Sequence, residues 1–261
     1  MYTRDQLKKW GNQSAPVRIK LLTPIIQFNG SKGSFSLLKR INDVIQPAIA
    51  LPSSLEVTIL RARRSLGWYE RNLQGQGIFY STNEHNDYND SVNLFKHEKG
   101  KKSQLVDSGL SRDLRNRHPQ IKVNRELYVL LDDTVHKIKV KGKSMQNFMT
   151  YHEELSKDGK LLFDFSTKLG IKEETGAGFQ YYSITFEAGT PTDLEKVGPF
   201  IEHVGTTLEK IDKQAAIRAI SIQDEQRQLA ETQPELPSNE PVINVDDDIQ
   251  EEEIKVEDIP F

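Results

Sequence analysis

The sequence contains no cysteine. Disulfides, thiolate nucleophiles and Cys-based zinc or iron–sulfur sites are therefore excluded, and a reducing compartment is allowed. No stretch approaches the ~18–20 consecutive apolar residues that a membrane span needs. The start, "MYTRDQLKKWGNQ", lacks the apolar core of a secretory signal. Catalytic signatures are missing as well: there is no P-loop, no GxSxG and no HExxH. The six histidines, His85, His97, His118, His136, His152 and His203, fall at no metal-ligand spacing. The "GAG" at 176–178 reads as a loop, and Asp132-Asp133 as a turn. Scattered acids such as Asp107, Asp113 and Glu126 could hide a two-metal nuclease, but nothing in their spacing points to one. The expectation is a non-enzyme with no cofactor, no metal and no membrane association.

What is present is charge, unevenly spread. The formal net charge of the 261 residues is −3. Residues 223–261 hold 13 acidic and 2 basic side chains, a net of −11. That leaves 25 acidic and 33 basic side chains in 1–222, a net of +8. A basic body suits a polyanion, and an acidic tail can compete with that polyanion for the same surface.

The body reads as mainly β. Residues 17–28 have strand character broken or bulged at Pro24, and 29–34, "NGSKGS", is a turn. The spacing in 35–51 fits either a short helix or a strand plus loop. Alternation at Leu55, Val57 and Ile59 marks a strand, and 77–82 a second. Residues 83–125 are polar and weakly patterned, which predicts a long loop or insertion with 92–97 as its one candidate strand. From 126, two strands flank Asp132-Asp133 as a hairpin. Residues 144–159 form an amphipathic helix that Ser144 can cap and Gly159 can stop. Two more strands, 160–174 and 178–189, precede a helix capped by Thr190 or Thr192 and interrupted around Gly198-Pro199. The reading is a mainly β domain over 1–190, arranged like the small barrel of an oligonucleotide-binding (OB) fold with an inserted helix. A helical segment follows at 191–222. Residues 223–253 contain Glu, Asp, Gln and Pro but no aromatic, and are expected to be disordered.

A single-strand binder needs cations interleaved with aromatic platforms. The densest such stretch is "RARRSLGWYERNL", with Arg61, Arg63, Arg64, Trp68, Tyr69 and Arg71. On a strand, Arg61 and Arg63 share a face and Arg64 takes the other. Lys137, Lys139, Lys141 and Lys143 alternate, giving a basic stripe opposite Ile138 and Val140. Tyr80 and Tyr181 are further candidates. Phe179 and Tyr181 should point outward, with Tyr182, Ile184 and Phe186 inward. Solvated lysines on an edge strand, or a Trp68 packed in the core, are the structural alternatives.

The chain closes on Asp258-Ile259-Pro260-Phe261 after the runs Asp246–Asp248 and Glu251–Glu253. This resembles the C-terminal tip of bacterial single-stranded-DNA-binding proteins, which end in aspartates followed by Ile/Leu-Pro-Phe. The tip, residues 254–261, departs from that family in its short Glu257-Asp258 pair, and the body lacks the family's N-terminal strand sequence. The resemblance implies a single-stranded-DNA-binding protein of the bacterial cytosol, with the divergence suggesting a phage or mobile-element source. It would coat single strands and recruit host or phage replication, recombination or repair enzymes through the tip. In that family Phe261's ring and carboxylate would enter an apolar pocket with a basic rim, and Pro260 would stiffen the approach. Two other readings stay open: an adaptor that binds no DNA and docks a replication factor by its tail, and an annealing or recombination mediator. Oligomeric state is left open by the sequence.

Overall fold

The computed structural model describes residues 24–231, apart from 42–43, 72–74, 76, 102 and 177. The acidic linker beyond 231 and the tip Asp258, Ile259, Pro260 and Phe261 lie outside the described residues. Chain contacts divide the molecule into a unit Met1–Asp224 and a unit Glu225–Phe261. Within the second unit only 225–231 are described, as helix.

The strands are β1 (Ile25–Asn29), β2 (Ser34–Leu38), β3 (Arg40–Ile41), β4 (Val44–Ile45), β5 (Ile49–Ala50), β6 (Leu55–Arg71), β7 (Gly77–Thr82), β8 (Ser91–Glu98), β9 (Gln104–Leu110), β10 (Lys122–Leu131), β11 (Thr134–Val140), β12 (Phe165–Gly176) and β13 (Phe179–Pro191). The helices are α1 (Ser111–Arg117), α2 (Gly142–Lys157) and α3 (Leu194–Glu231). Eleven strands join one mixed sheet in the order β5-β2-β1-β11-β10-β6-β7-β8-β9, and β12, paired with β13, attaches to β6. The chain is mainly β, as its alternation indicates. The path is open rather than a closed barrel: among the described residues no pairing joins β5 to β9.

β6 organises the fold. One edge runs antiparallel to β10, while the other takes β12 at Leu55–Val57 and β7 at Gly67–Arg71. Its register slips once, because Tyr128 faces Arg61 while Val129 faces Ile59. Leu60 is the extra residue of this bulge, and a bulge reverses which face the following residues occupy. Val57 and Ile59 therefore join the core with Leu127, Val129, Ile138 and Val140, beneath Phe148, Tyr151 and Leu155 of α2. Leu60 and Tyr128 point to the opposite face, where Val197, Ile201, Val204 and Leu208 of α3 cover them. Those four positions follow helical spacing, which is why this stretch buries one stripe.

Several local expectations are corrected. The stretch 83–125 is not a structureless insertion: β8, β9 and α1 form there because Val92, Leu94, Leu114 and Ile121 meet Leu66 in a small core of their own. Of the two readings left open for 35–51, the strand one is found. The strand expected from 160 starts at Phe165, after a turn held by Leu161 N–H donating to the Asp164 carboxylate. Asp193, not Thr190 or Thr192, caps α3, its Oδ1 accepting the Glu195 N–H at 3.0 Å. The helix runs through Pro199, close enough to its start that apolar packing outweighs the lost donor. It continues to Glu231, so 223–231 is helix where disorder was expected; Gln, Glu, Arg, Leu and Ala there are good helix formers. The turn between β10 and β11 does form at Asp132-Asp133, with φ of 48° and 54° as a type I′ hairpin requires.

Candidate nucleic-acid interface

The end of the sheet where β10 starts and β11 stops opens into a cleft of about 970 Å³. β10 contributes Lys122, β11 contributes Lys139, and Arg115 comes from α1. Lys141 and Lys143 stand at the junction of β11 and α2. Phe179, Tyr181 and Tyr182 of β13 form an aromatic wall. Five cationic side chains line the cleft and no carboxylate does. Among the described residues Lys122, Lys141 and Lys143 have no ion-pair partner. Phe179 is 62% exposed and tilts against Tyr181 with ring centroids 5.7 Å apart. Phe179, exposed and braced by the half-buried Tyr181 ring, can take a base on its free face.

Local sequence explains this arrangement. β11 ends at Val140, so Lys141 and Gly142 leave the strand, with Gly142 at φ 56° turning the chain into α2. Ser144 is not the cap of α2; it lies inside the first turn, and its Oγ accepts the Ile184 N–H at 2.9 Å, tying the helix to β13. No side chain caps α2 at Lys141. Its first-turn N–H groups thus stand at the cleft with the positive end of the helix dipole, a combination that favours phosphate. The β1–β2 turn closes the far wall. Gly33 sits at φ 59°, and a Cβ there would come 2.7 Å from the Tyr182 ring, so only glycine lets that ring pack against the turn.

The expected residues separate into three groups. Lys139, Lys141, Lys143 and Tyr181 meet in the cleft, but as a corner rather than a single strand stripe, since only Lys137 and Lys139 belong to β11. Tyr69 is 60% exposed and pairs across strands with Phe79, whose ring lies 5.6 Å from Lys139 Nζ. These two rings extend the aromatic surface beyond the cleft. Arg71 is exposed at the end of β6 and is not in the cleft.

The second group is structural. Trp68 and Tyr80 stack on one another at 4.1 Å and pack over the Leu66 core, so they are not free platforms. Arg61 and Arg63 do share a face, but the bulge turns it beneath α3, and both are buried. Arg63 Nη2 pairs with Asp212 of α3 at 2.6 Å and donates to the Glu84 carbonyl at 2.8 Å. Arg61 donates to Asn86 at 3.3 Å, and burial beside Arg63 lowers its pKa to about 10. Lys137 pairs with Glu84 and, at 3.3 Å, with Glu126, which also holds Lys139 at 3.1 Å and accepts from Ser65 at 2.7 Å. Burial opposes the Glu84 carboxylate, yet Lys137 and Arg63 outweigh it and hold its pKa below the ordinary value. Burial and that same carboxylate push the Tyr128 hydroxyl well up, while it donates to Glu84 at 2.7 Å. Arg61, Arg63 and Lys137 thus serve folding, and Glu126 ties Lys139 to the same network.

Arg64 forms the third group: it points away from the cleft into a separate cavity, with its guanidinium 3.6 Å over the Tyr88 ring. The cleft members Phe179, Lys122 and Arg115 were legible only as loose charge and parity, because no linear motif joins residues so far apart in the chain. Among the described residues no group of three His, Asp or Glu side chains is placed to hold a metal ion, and no helix is long and apolar enough to cross a membrane. No protein-family model, curated protein or solved structure matches this chain.

Proposed function

We propose that the protein is a non-catalytic single-stranded-DNA-binding protein whose strand passes through the cleft between α2 and the β12–β13 hairpin. The carboxylate-free cluster of Arg115, Lys122, Lys139, Lys141 and Lys143 against the Phe179–Tyr181 wall carries this reading. Phosphates would follow the lysines and the start of α2, and bases would stack on Phe179 and Tyr181 with little sequence preference. A cleft at the end of an open sheet suffices for this, so the reading does not depend on an OB-type barrel. The segment Asp258-Ile259-Pro260-Phe261 would recruit a replication, recombination or repair enzyme, by its resemblance to the tips of bacterial single-strand binders. The aromatic wall, with Phe179 exposed on it, favours single strands over duplex, because stacking on it needs unpaired faces.

The test is fluorescence anisotropy of labelled ~30-nucleotide poly-dT, across a salt series, with duplex of equal length as competitor. Salt-dependent binding that duplex does not displace, weakened in Lys141→Ala/Lys143→Ala, is expected. No binding at low salt would overturn the proposal and favour a protein-binding adaptor.

A further inference from the structure

A second cavity, of about 410 Å³, lies between the β6–β10 ladder and α2, and shares no lining residue with the cleft. Arg64 and Arg125 stand directly opposite each other across that ladder, on the same face. Like charges in that position repel. Neither has a carboxylate partner among the described residues: Arg125 reaches only Met149 Sδ at 3.4 Å, and Arg64 Nε and Nη1 are buried without a hydrogen bond. His152 of α2 lines the same space, its pKa lowered by burial and then by Arg125. Lys160 stands at the rim, paired with Asp158 at 2.7 Å. Asp87 is the one carboxylate in the lining. Ala62, Phe148 and Leu162 add apolar wall.

Two adjacent, half-buried guanidiniums with unused N–H groups are a costly arrangement unless an anion joins them. Burial, then Arg64, lowers the Arg125 pKa to about 10, which an arriving dianion would reverse. Arginine forks match phosphate oxygens two at a time. The volume suits a ligand of mononucleotide size rather than a bare ion. We propose that this cavity is a phosphomonoester site in which Arg64 and Arg125 clamp the phosphate and His152 donates from α2. The phosphomonoester comes either from a free nucleotide or from the 5′-phosphate of a DNA strand, and the two sources share this chemistry.

The experiment measures melting of the full chain in inorganic phosphate against chloride at equal ionic strength, then in dTMP. Saturating phosphate should raise Tm by on the order of 5 °C. Arg125→Gln should melt no lower than the wild type without phosphate, because it removes the repulsion, and should lose the phosphate rise; this separates a lost site from a lost fold. Lys141→Ala/Lys143→Ala should keep the rise, which separates this site from the proposed DNA cleft. A further arm compares dT oligonucleotides bearing a 5′-phosphate or a 5′-hydroxyl. A preference of about tenfold for the phosphate, lost in Arg125→Gln, assigns the ligand to a strand end; a dTMP response without that preference assigns it to a free nucleotide. No phosphate rise in the wild type, or an equal rise in Arg125→Gln, overturns the proposal.

Discussion

Replacing Asp212 by Leu should break the most buried ion pair among the described residues, at a measurable cost. The Arg63 and Asp212 side chains are 1% and 4% exposed, and their contact is 2.6 Å. Asp212→Leu leaves the Arg63 charge buried, with the Glu84 carbonyl still accepting from it. Removing one partner of such a pair costs about 3–5 kcal/mol. At a urea dependence of about 2 kcal/mol/M, the unfolding midpoint should fall by roughly 1.5–2.5 M. Arg63→Met should cost less, because Arg61 also feels the Asp212 charge and can compensate it. The double variant Arg63→Met/Asp212→Leu removes both charges, and Leu continues the apolar stripe of Val197, Ile201, Val204 and Leu208. It should be more stable than Asp212→Leu alone. Urea unfolding followed by fluorescence would decide. A double variant whose loss equals the sum of the single losses would refute the claim that the cost is a stranded charge.

His85 should make the fold acid-sensitive. Its Nδ1–H donates to the Asn83 carbonyl at 3.3 Å and its Nε2 accepts from Ser111 at 2.8 Å, a neutral ring whose pKa burial lowers to about 4. The unfolded chain binds this proton near pH 6.5 and the folded one near 4. Stability present above 6.5 is therefore lost as the pH falls to about 4, by roughly 3 kcal/mol. His136 and His152 shift the same way, so His85→Gln should flatten the pH dependence of the urea midpoint without abolishing it; an unchanged slope would contradict the assignment. In the cleft, Phe179→Ala and Tyr181→Ala should each weaken poly-dT binding by about 1–3 kcal/mol with little change in melting. Trp68→Ala should do the reverse, lowering Tm and sparing affinity, since Trp68 stacks on Tyr80.

Alternation made β6, β7, β10, β11 and the Asp132-Asp133 hairpin legible, because each has one face committed to apolar contact. On β13, Ile184 and Phe186 reach the core as their parity indicates, but Tyr182, of the same parity, lines the cleft and packs on the β1–β2 turn, and Ser183, of the other parity, is buried. The fate of Arg61 and Arg63 was not. Their shared face follows from a period of two, but which face depends on the extra residue Leu60, and a bulge leaves no mark in composition. One signal was present: Asp212 continues the spacing of Ile201, Val204 and Leu208 on α3, so a carboxylate sits where the stripe expects an apolar residue. A buried acid needs a buried base. The small core around Leu66 was hidden because its apolar residues, Val92, Leu94, Leu114 and Ile121, are diluted by polar neighbours and meet only in three dimensions.

Part of the body's positive charge is divided by chemistry. Four arginines, planar and weakly hydrated, sit inward: Arg61 and Arg63 buried beneath α3, Arg64 and Arg125 half-buried beside α2. Four lysines, strongly hydrated point charges, stand at the cleft instead: Lys122, Lys139, Lys141 and Lys143. Arg61 and Arg63 would then add nothing to the salt dependence of DNA binding, and Arg64 nothing for a strand with a 5′-hydroxyl end, although the three make the densest basic cluster of β6. Each phosphate neutralised on a single strand contributes about 0.7 to the slope of log affinity against log salt. Four lysines and Arg115 therefore set a ceiling of about 3.5. Lys139, already paired with Glu126 at 3.1 Å, should contribute least, so Lys139→Ala should change the slope less than Lys141→Ala or Lys143→Ala. A wild-type slope far above that ceiling would mean that the strand leaves the cleft and runs over cations elsewhere, with exposed Arg71, two residues from Tyr69 on β6, the first to replace.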